Sequence, residues 1–245
     1  MLINNISTQT IKEIVTENFQ TAAVFEKYSL DFCCRGGKTI NEACTEKNVS
    51  VETVLNDLAD LGISQDNSGT QYAGWSLDVL IDYIVKNHHA YVTRMIPVLY
   101  THTQKIAAVH GSRHPEVIEI AKHFETVAVD LQQHMQKEEQ MLFPFILTLL
   151  EAKKTGLLSM LPPFGSVKNP IKMMEREHQA AGDEMYGIRS LSSGYLPPDD
   201  ACTTYRVAYQ ELQEFEKDLH QHVHLENNIL FPKASALEQE LLSKN

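Results

Sequence analysis

The chain has 245 residues, enough for one large domain or a small domain and a larger one. Its 43% hydrophobic content supports a packed core, and a formal net charge of −11 argues against nucleic acid or an anionic membrane surface as a partner. The opening residues are polar, with no secretory pattern, and no apolar run approaches the ~18 residues of a membrane span, so a cytoplasmic, soluble protein is expected.

Residues 1–62 read as an N-terminal domain of short helices. Ile11, Ile14, Val15 and Phe19 recur at helical spacing, as do Val51, Val54, Leu55, Leu58 and Leu61. Between them lies a loop, Tyr28 to Lys38, that holds the adjacent pair Cys33 and Cys34 and is punctuated by Gly36 and Gly37. The other two cysteines, Cys44 and Cys202, are far apart and read as structural. Four cysteines without a C-x-x-C pair fit a reducing compartment better than a disulfide framework. Residues 63–75 are polar and glycine-containing and read as a linker.

Residues 76–245 contain four long amphipathic segments. The first covers about 76–109, with Pro97 inside it as a kink site. The second covers about 115–152, with Pro115 in its first turn. The third covers about 168–192 and stops before Gly194. The fourth covers about 199–240, with Asp199 or Asp200 as its expected N-cap. No strand pattern is present, so the chain is read as all-α: an antiparallel four-helix bundle preceded by a small helical domain.

The second and fourth segments share a phrase. Residues 130–144 and 218–232 both spell D-L-x-Q-H-x-x-x-E-x-x-x-L-F-P, identical at eight of fifteen positions with an offset of 88. Such identity points to an internal duplication. The repeated His and Glu lie four apart and so share a helix face. They fall on the apolar stripes: Val117, Ile120, Phe124, Val127 and Leu131 lead to His134 and Glu138, and Leu212, Phe215 and Leu219 lead to His222 and Glu226. The third segment puts His178 on the stripe of Ile171, Met174, Ala181 and Met185. Buried carboxylates are costly unless paired or bound to a cation, so a metal centre is expected.

His178 precedes His222 by 44 residues, and the same step back from His134 reaches position 90. His88 and His89 are both near it; His89 is the closer, and helical spacing does not separate them. The expected ligands are then His89, His134, Glu138, His178, His222 and Glu226. Two metals, each with two imidazoles, sharing two bridging carboxylates, is the natural count. This mixed N/O set favours iron or manganese over tetrahedral zinc. Asp130 and Asp218, each four residues before a ligand His, are candidates for orienting an imidazole N–H. Glu139 and Glu177 adjoin ligand positions and read as solvated.

Four stretches carry a family resemblance: KYSLDFCCRGGK at 27–38, HMQKEEQMLFP at 134–144, MEREHQAAG at 174–182 and HVHLENNILFP at 222–232. With them the chain resembles the hemerythrin-like superfamily, and within it the repair-of-iron-centres family of iron–sulfur cluster repair proteins, over nearly its whole length. The resemblance implies a non-haem, carboxylate-bridged centre of two iron ions, with room for an oxo bridge, and maps its ligands onto the six residues above, preferring His89 to His88. It implies repair of clusters damaged by oxidative or nitrosative stress. Iron–sulfur proteins would then be the partners and NO or O2 a small ligand, and a homodimer is compatible. Oxygen-carrying hemerythrins have five histidines and two carboxylates, a pattern that finds no clean match here. The rival readings are a di-iron nitric oxide reductase or peroxidase-type enzyme, which would turn over with an electron donor, and an O2- or NO-sensing module. Cys33 and Cys34 are read as a thiol site, with Arg35 and Lys38 nearby to favour thiolate.

Overall fold

A computed structural model describes residues 9–34, 36–61, 72–156 and 164–243. Among the described residues the structure is helical, and the only β pairing is a single antiparallel bridge between Thr10 and Thr39. The fold is all-α, a helical bundle with a small helical N-terminal part, as the periodicity predicts. Among the described residues no helix is long and apolar enough to cross a membrane. The chain divides into two compact units, residues 1–80 with 223–233, and residues 81–222 with 234–245.

In the first unit, helix α1 (Ile11–Glu17) is followed by a 3-10 turn at Phe19–Thr21 and by α2 (Ala22–Lys27), α3 (Ile40–Lys47) and α4 (Val51–Asp60). Short helices of this length are marginal alone, and here their first turns are closed by side chains. Thr10 and Glu13 form a capping box at α1, Thr39 and Glu42 another at α3, and Ser50 accepts from Thr53 N at α4. Ile11, Val15, Phe25, Ile40, Cys44, Val54 and Leu58 form the core. Backbone bonds from Ile11 N to Lys38 O and from Lys12 N to Gly36 O, both 2.9 Å, tie the Cys-Cys loop to α1. Gly36 is required by this approach, because a Cβ there would meet the Phe32 carbonyl and lie 3.0 Å from Lys12 Cβ. Of the predicted linker, residues 63–71 lie outside the described residues. Residues 72–75 are packed: Tyr72 is buried with its ring 5.0 Å from Trp75, and Lys233 Nζ donates to the carbonyls of Ala73 and Trp75 at 2.7 and 2.6 Å.

The long helices follow. The first is α5 (Leu77–Tyr83), continued by a π-helical segment at Ile84–His89 and by α6 (Ala90–His110). The second is α7 (Glu116–Lys137), continued by a π segment at Glu138–Leu142 and by α8 (Phe143–Thr155). The third, α9 (Lys168–Leu191), is unbroken. The fourth is α10 (Thr203–Leu225), continued by a π segment at Glu226–Leu230 and by α11 (Phe231–Ser243). In the second unit α7 packs against both α6 and α9. Phe124 of α7 meets Phe215 of α10 edge-to-face at 5.6 Å, and Tyr91 of α6 lies 6.2 Å from the same ring.

Polar side chains lock the helix ends. Glu238 of α11 accepts from Val167 N (2.8 Å) and Ser166 Oγ (2.6 Å), which places a carboxylate at the N-terminus of α9, where the helix dipole favours it. Glu216 of α10 is held by Arg189 Nε at 2.9 Å and by the Tyr195 hydroxyl at 2.8 Å. The expected cap of the fourth helix is corrected. The helix begins at Thr203, so Asp199 and Asp200 lie before it, and Asp200 instead accepts from His114 Nε2 at 2.9 Å and pairs with Arg113 at 3.2 Å.

Candidate metal centre

Three of the four long helices widen where they carry an expected ligand. His89 closes the first π segment, Glu138 opens the second and Glu226 opens the third. A π segment carries one more residue per turn than an α-helix and recurs at functional sites. In the repeated phrase its cause is visible. Pro144 and Pro232 have no N–H to give and would press on the carbonyl four residues back. A widened turn just before each proline relieves both problems. The first π segment has no proline next to it, and the structure offers no comparable local cause.

His89, His134, Glu138, His178, His222 and Glu226 are all buried, and both carboxylates are 0% exposed. Two groups of four have their ligand atoms within 4.8 Å of one another: His89, Glu138, His222 and Glu226, and His134, Glu138, His178 and Glu226. Glu138 and Glu226 belong to both. His89 Nε2 and His222 Nε2 approach to 3.1 Å, and His134 Nε2 and His178 Nε2 to 2.8 Å. Glu138 Oε2 lies 3.4 Å from both His89 Nε2 and His134 Nε2.

The residues fit a cation. Two imidazole nitrogens, each ~2.1 Å from one ion and at right angles, would sit ~3.0 Å apart, close to both observed pairs. A carboxylate between two such pairs supplies the negative charge that each cation needs.

The opposite nitrogens of two of these rings are tied to acids. His89 Nδ1 donates to Glu139 Oε1 at 2.7 Å and His134 Nδ1 to Glu177 Oε2 at 2.9 Å, which fixes Nε2 as the atom facing the centre. The His134 bond, helped by Lys137, pulls the Glu177 carboxyl down to about 2 against the opposing effect of burial. Both acids read as solvated in the sequence, and Glu139 is indeed exposed while Glu177 is half-buried; what the helix packing adds is the contact of each with a histidine ring. The aspartates differ. Asp130 is exposed on α7. Asp218 accepts from His88 Nδ1 at 3.0 Å, and the His88 ring stacks on His222 at 5.6 Å and 6°. His88 thus stacks on the His222 ring, and His89 joins the four-residue group.

Glu177→Gln tests this arrangement. It keeps the size of the side chain and removes the charge on which His134 rests, so metal affinity is expected to fall by about 10–100-fold with little change in fold. Metal competition against a chelator, read beside circular dichroism, checks it.

In the first unit, Cys33 is buried and Cys34 partly exposed, with their sulfurs 3.7 Å apart. The expectation of a nearby positive charge favouring thiolate is corrected for Cys33. The contact with Cys34, together with burial, pushes its thiol well above the ordinary range, and Lys38 is paired with Glu46. Arg35 lies outside the described residues. Cys44 is buried, as a structural cysteine should be, whereas Cys202 is exposed, with His110 Nε2 3.2 Å from its sulfur.

Residues 80–234 match the hemerythrin HHE cation binding domain, and residues 7–62 match a domain of unknown function. A probable iron–sulfur cluster repair protein of Haemophilus influenzae is 34% identical, over 94% of this chain and 97% of its own length. The chain belongs to the hemerythrin-like iron–sulfur cluster repair family. Among other members, the iron–sulfur cluster repair protein YtfE of Dickeya chrysanthemi is 34% identical over 92% of this chain and 96% of its own. The iron–sulfur cluster repair protein ScdA of Staphylococcus haemolyticus is 33% identical over 92% and 97%. In this member of the family the cation-binding domain spans all six buried His and Glu residues.

Proposed function

We propose that this protein repairs iron–sulfur clusters damaged by oxidative or nitrosative stress, using two non-haem iron ions held by His89, His134, Glu138, His178, His222 and Glu226. The observation that carries the reading is the sharing of Glu138 and Glu226 by two four-residue groups. Such sharing suits two cations bridged by carboxylates rather than one isolated ion. Iron in such a set supplies one-electron chemistry and exchangeable coordination positions. The chain's own part is to hold the imidazoles in one tautomer through Glu139 and Glu177 and to keep the carboxylates away from water, where a bound cation offsets their charge. The partners are iron–sulfur proteins, in keeping with the names of the relatives. Those names favour repair over nitric oxide reduction, peroxidase-type turnover or O2 and NO sensing. The reading keeps the domain division expected from the sequence, a helical domain at 1–62 with the Cys-Cys loop, a linker at 63–75 and a bundle at 76–245 with the centre.

The test is metal content of anaerobically purified protein, followed by addition to a cluster-dependent dehydratase inactivated by peroxide. About two irons per chain and recovery of the dehydratase are expected, with no recovery from metal-free protein. Zinc alone, or iron-loaded protein that restores nothing, overturns the reading.

A further inference from the structure

The Cys-Cys loop presents a second donor set, separate from the His and Glu residues. Asp31, Cys33 and Cys34 place one ligand atom each within 4.8 Å of one another. Their separations match coordination by a single cation. A tetrahedral ion with sulfur at ~2.3 Å and oxygen at ~2.1 Å has a sulfur–sulfur edge of ~3.8 Å and a sulfur–oxygen edge of ~3.6 Å. The Cys33 and Cys34 sulfurs are 3.7 Å apart, and Cys33 Sγ lies 3.4 Å from Asp31 Oδ1.

Adjacent cysteines in a helix point in different directions, but this pair lies in a bend outside any helix. The bend is held on two sides. Asp31 Oδ1 accepts from the backbone N–H of both Cys33 and Cys34 at 2.9 Å. From the helix that carries Glu226, Asn227 Nδ2 donates to Cys33 O at 3.2 Å and Asn228 Nδ2 to Phe32 O at 3.1 Å. The donor set is therefore positioned before any cation arrives, which lowers the ordering cost of binding. Cys34 is partly exposed, leaving the set reachable.

We propose that Asp31, Cys33 and Cys34 form a mononuclear site for a thiophilic divalent cation, zinc or ferrous iron, with three protein ligands and a fourth position open to water or to a ligand from outside. Binding replaces the thiol protons with one cation, and the protons leave to solvent. The proposal does not depend on which cation the His/Glu centre holds, nor on cluster repair.

The test uses the full chain with its His/Glu centre loaded as purified and its thiols reduced, titrated with cobalt(II). One further equivalent is expected to bind, with a thiolate-to-cobalt charge-transfer band. Cys33→Ser with Cys34→Ser should remove that equivalent and the band while leaving the original metal content intact. Asp31→Asn guards against a folding defect, because an amide oxygen still accepts from the two N–H groups. It should retain the band and weaken cobalt binding by about tenfold or more. A wild-type protein with reduced thiols and no band overturns the proposal, as does a band that survives the double serine variant. Undiminished affinity in Asp31→Asn overturns the three-ligand site. The original metal content and the dehydratase assay report on the His/Glu centre separately, so the two readings fail independently.

Discussion

Replacing Glu138 and Glu226 together by leucine is expected to abolish cation binding at the His/Glu centre and, at the same time, to stabilise the metal-free chain. Both carboxylates are 0% exposed, and a charge in that position loses most of its hydration. With cations present the loss is offset, and folded protein gains further by mass action, about 4 kcal/mol at a thousandfold excess of ligand over its dissociation constant. Without cations the carboxylates are a liability. Leucine is close to glutamate in volume, and exchanging buried charged groups for packed apolar ones gains about 1–4 kcal/mol in favourable cases. Urea unfolding with and without chelator separates the two effects. Wild type should lose stability on chelation, whereas the variant should be indifferent to chelator, should lie above chelated wild type, and should carry no iron and repair nothing. A variant that keeps its metal, or that unfolds more readily than chelated wild type, would show that these carboxylates serve packing rather than a cation.

The opposite result is expected at Arg189. Its Nε and the Tyr195 hydroxyl converge on the same Glu216 oxygen, and the Glu216 side chain is 5% exposed. Among the described residues, no group of side chains suited to hold a metal ion includes Glu216. Tyr195 is itself held in its neutral form, chiefly by burial and then by the Glu216 charge. Arg189→Met therefore leaves a buried carboxylate with the phenol but without its cation, and a loss of about 3–5 kcal/mol is expected. Arg189→Met with Glu216→Leu should recover most of that loss, because the charge that needed a partner is gone. The urea midpoints of the two variants measure the coupling. Equal losses in the single and double variants would mean that Arg189 acts through the packing of its stem alone.

The helices and their inward faces were legible because the apolar stripes are regular. Val117 to Leu131 and Leu212 to Leu219 step by three or four, and the buried His and Glu residues continue the same steps. His178 was legible for the same reason. The acids that hold the His89 and His134 rings were not, since Glu139 and Glu177 stand next to Glu138 and His178 in the chain, and adjacent helical residues usually face different ways. Asp130 and Asp218 look better placed by spacing, yet the first is exposed and the second holds His88. The choice between His88 and His89 turns on a single residue within a π segment, where α-helical counting fails. The thiolate expected at Cys33 failed for a different reason. Lys38 is close in sequence but is committed to Glu46, while among the described residues the sulfur meets another thiol and the Asp31 carboxylate.

The widened turns bear on whether the proposed centre can be moved to another scaffold. Each repeated phrase brings its His, its Glu and an extra backbone residue that the proline downstream helps to hold. Copying His134 and Glu138 at four-residue spacing onto a straight designed helix would reproduce the donors and lose the shift in phase that follows them. Leu142 and Phe143 would then rotate by about one residue's turn, roughly 100°, away from the core in which both are buried. The smallest transferable unit is thus the whole fifteen-residue phrase through its terminal proline, and a scaffold built to receive it must be drawn with one residue more per helix than regular α-helical geometry requires.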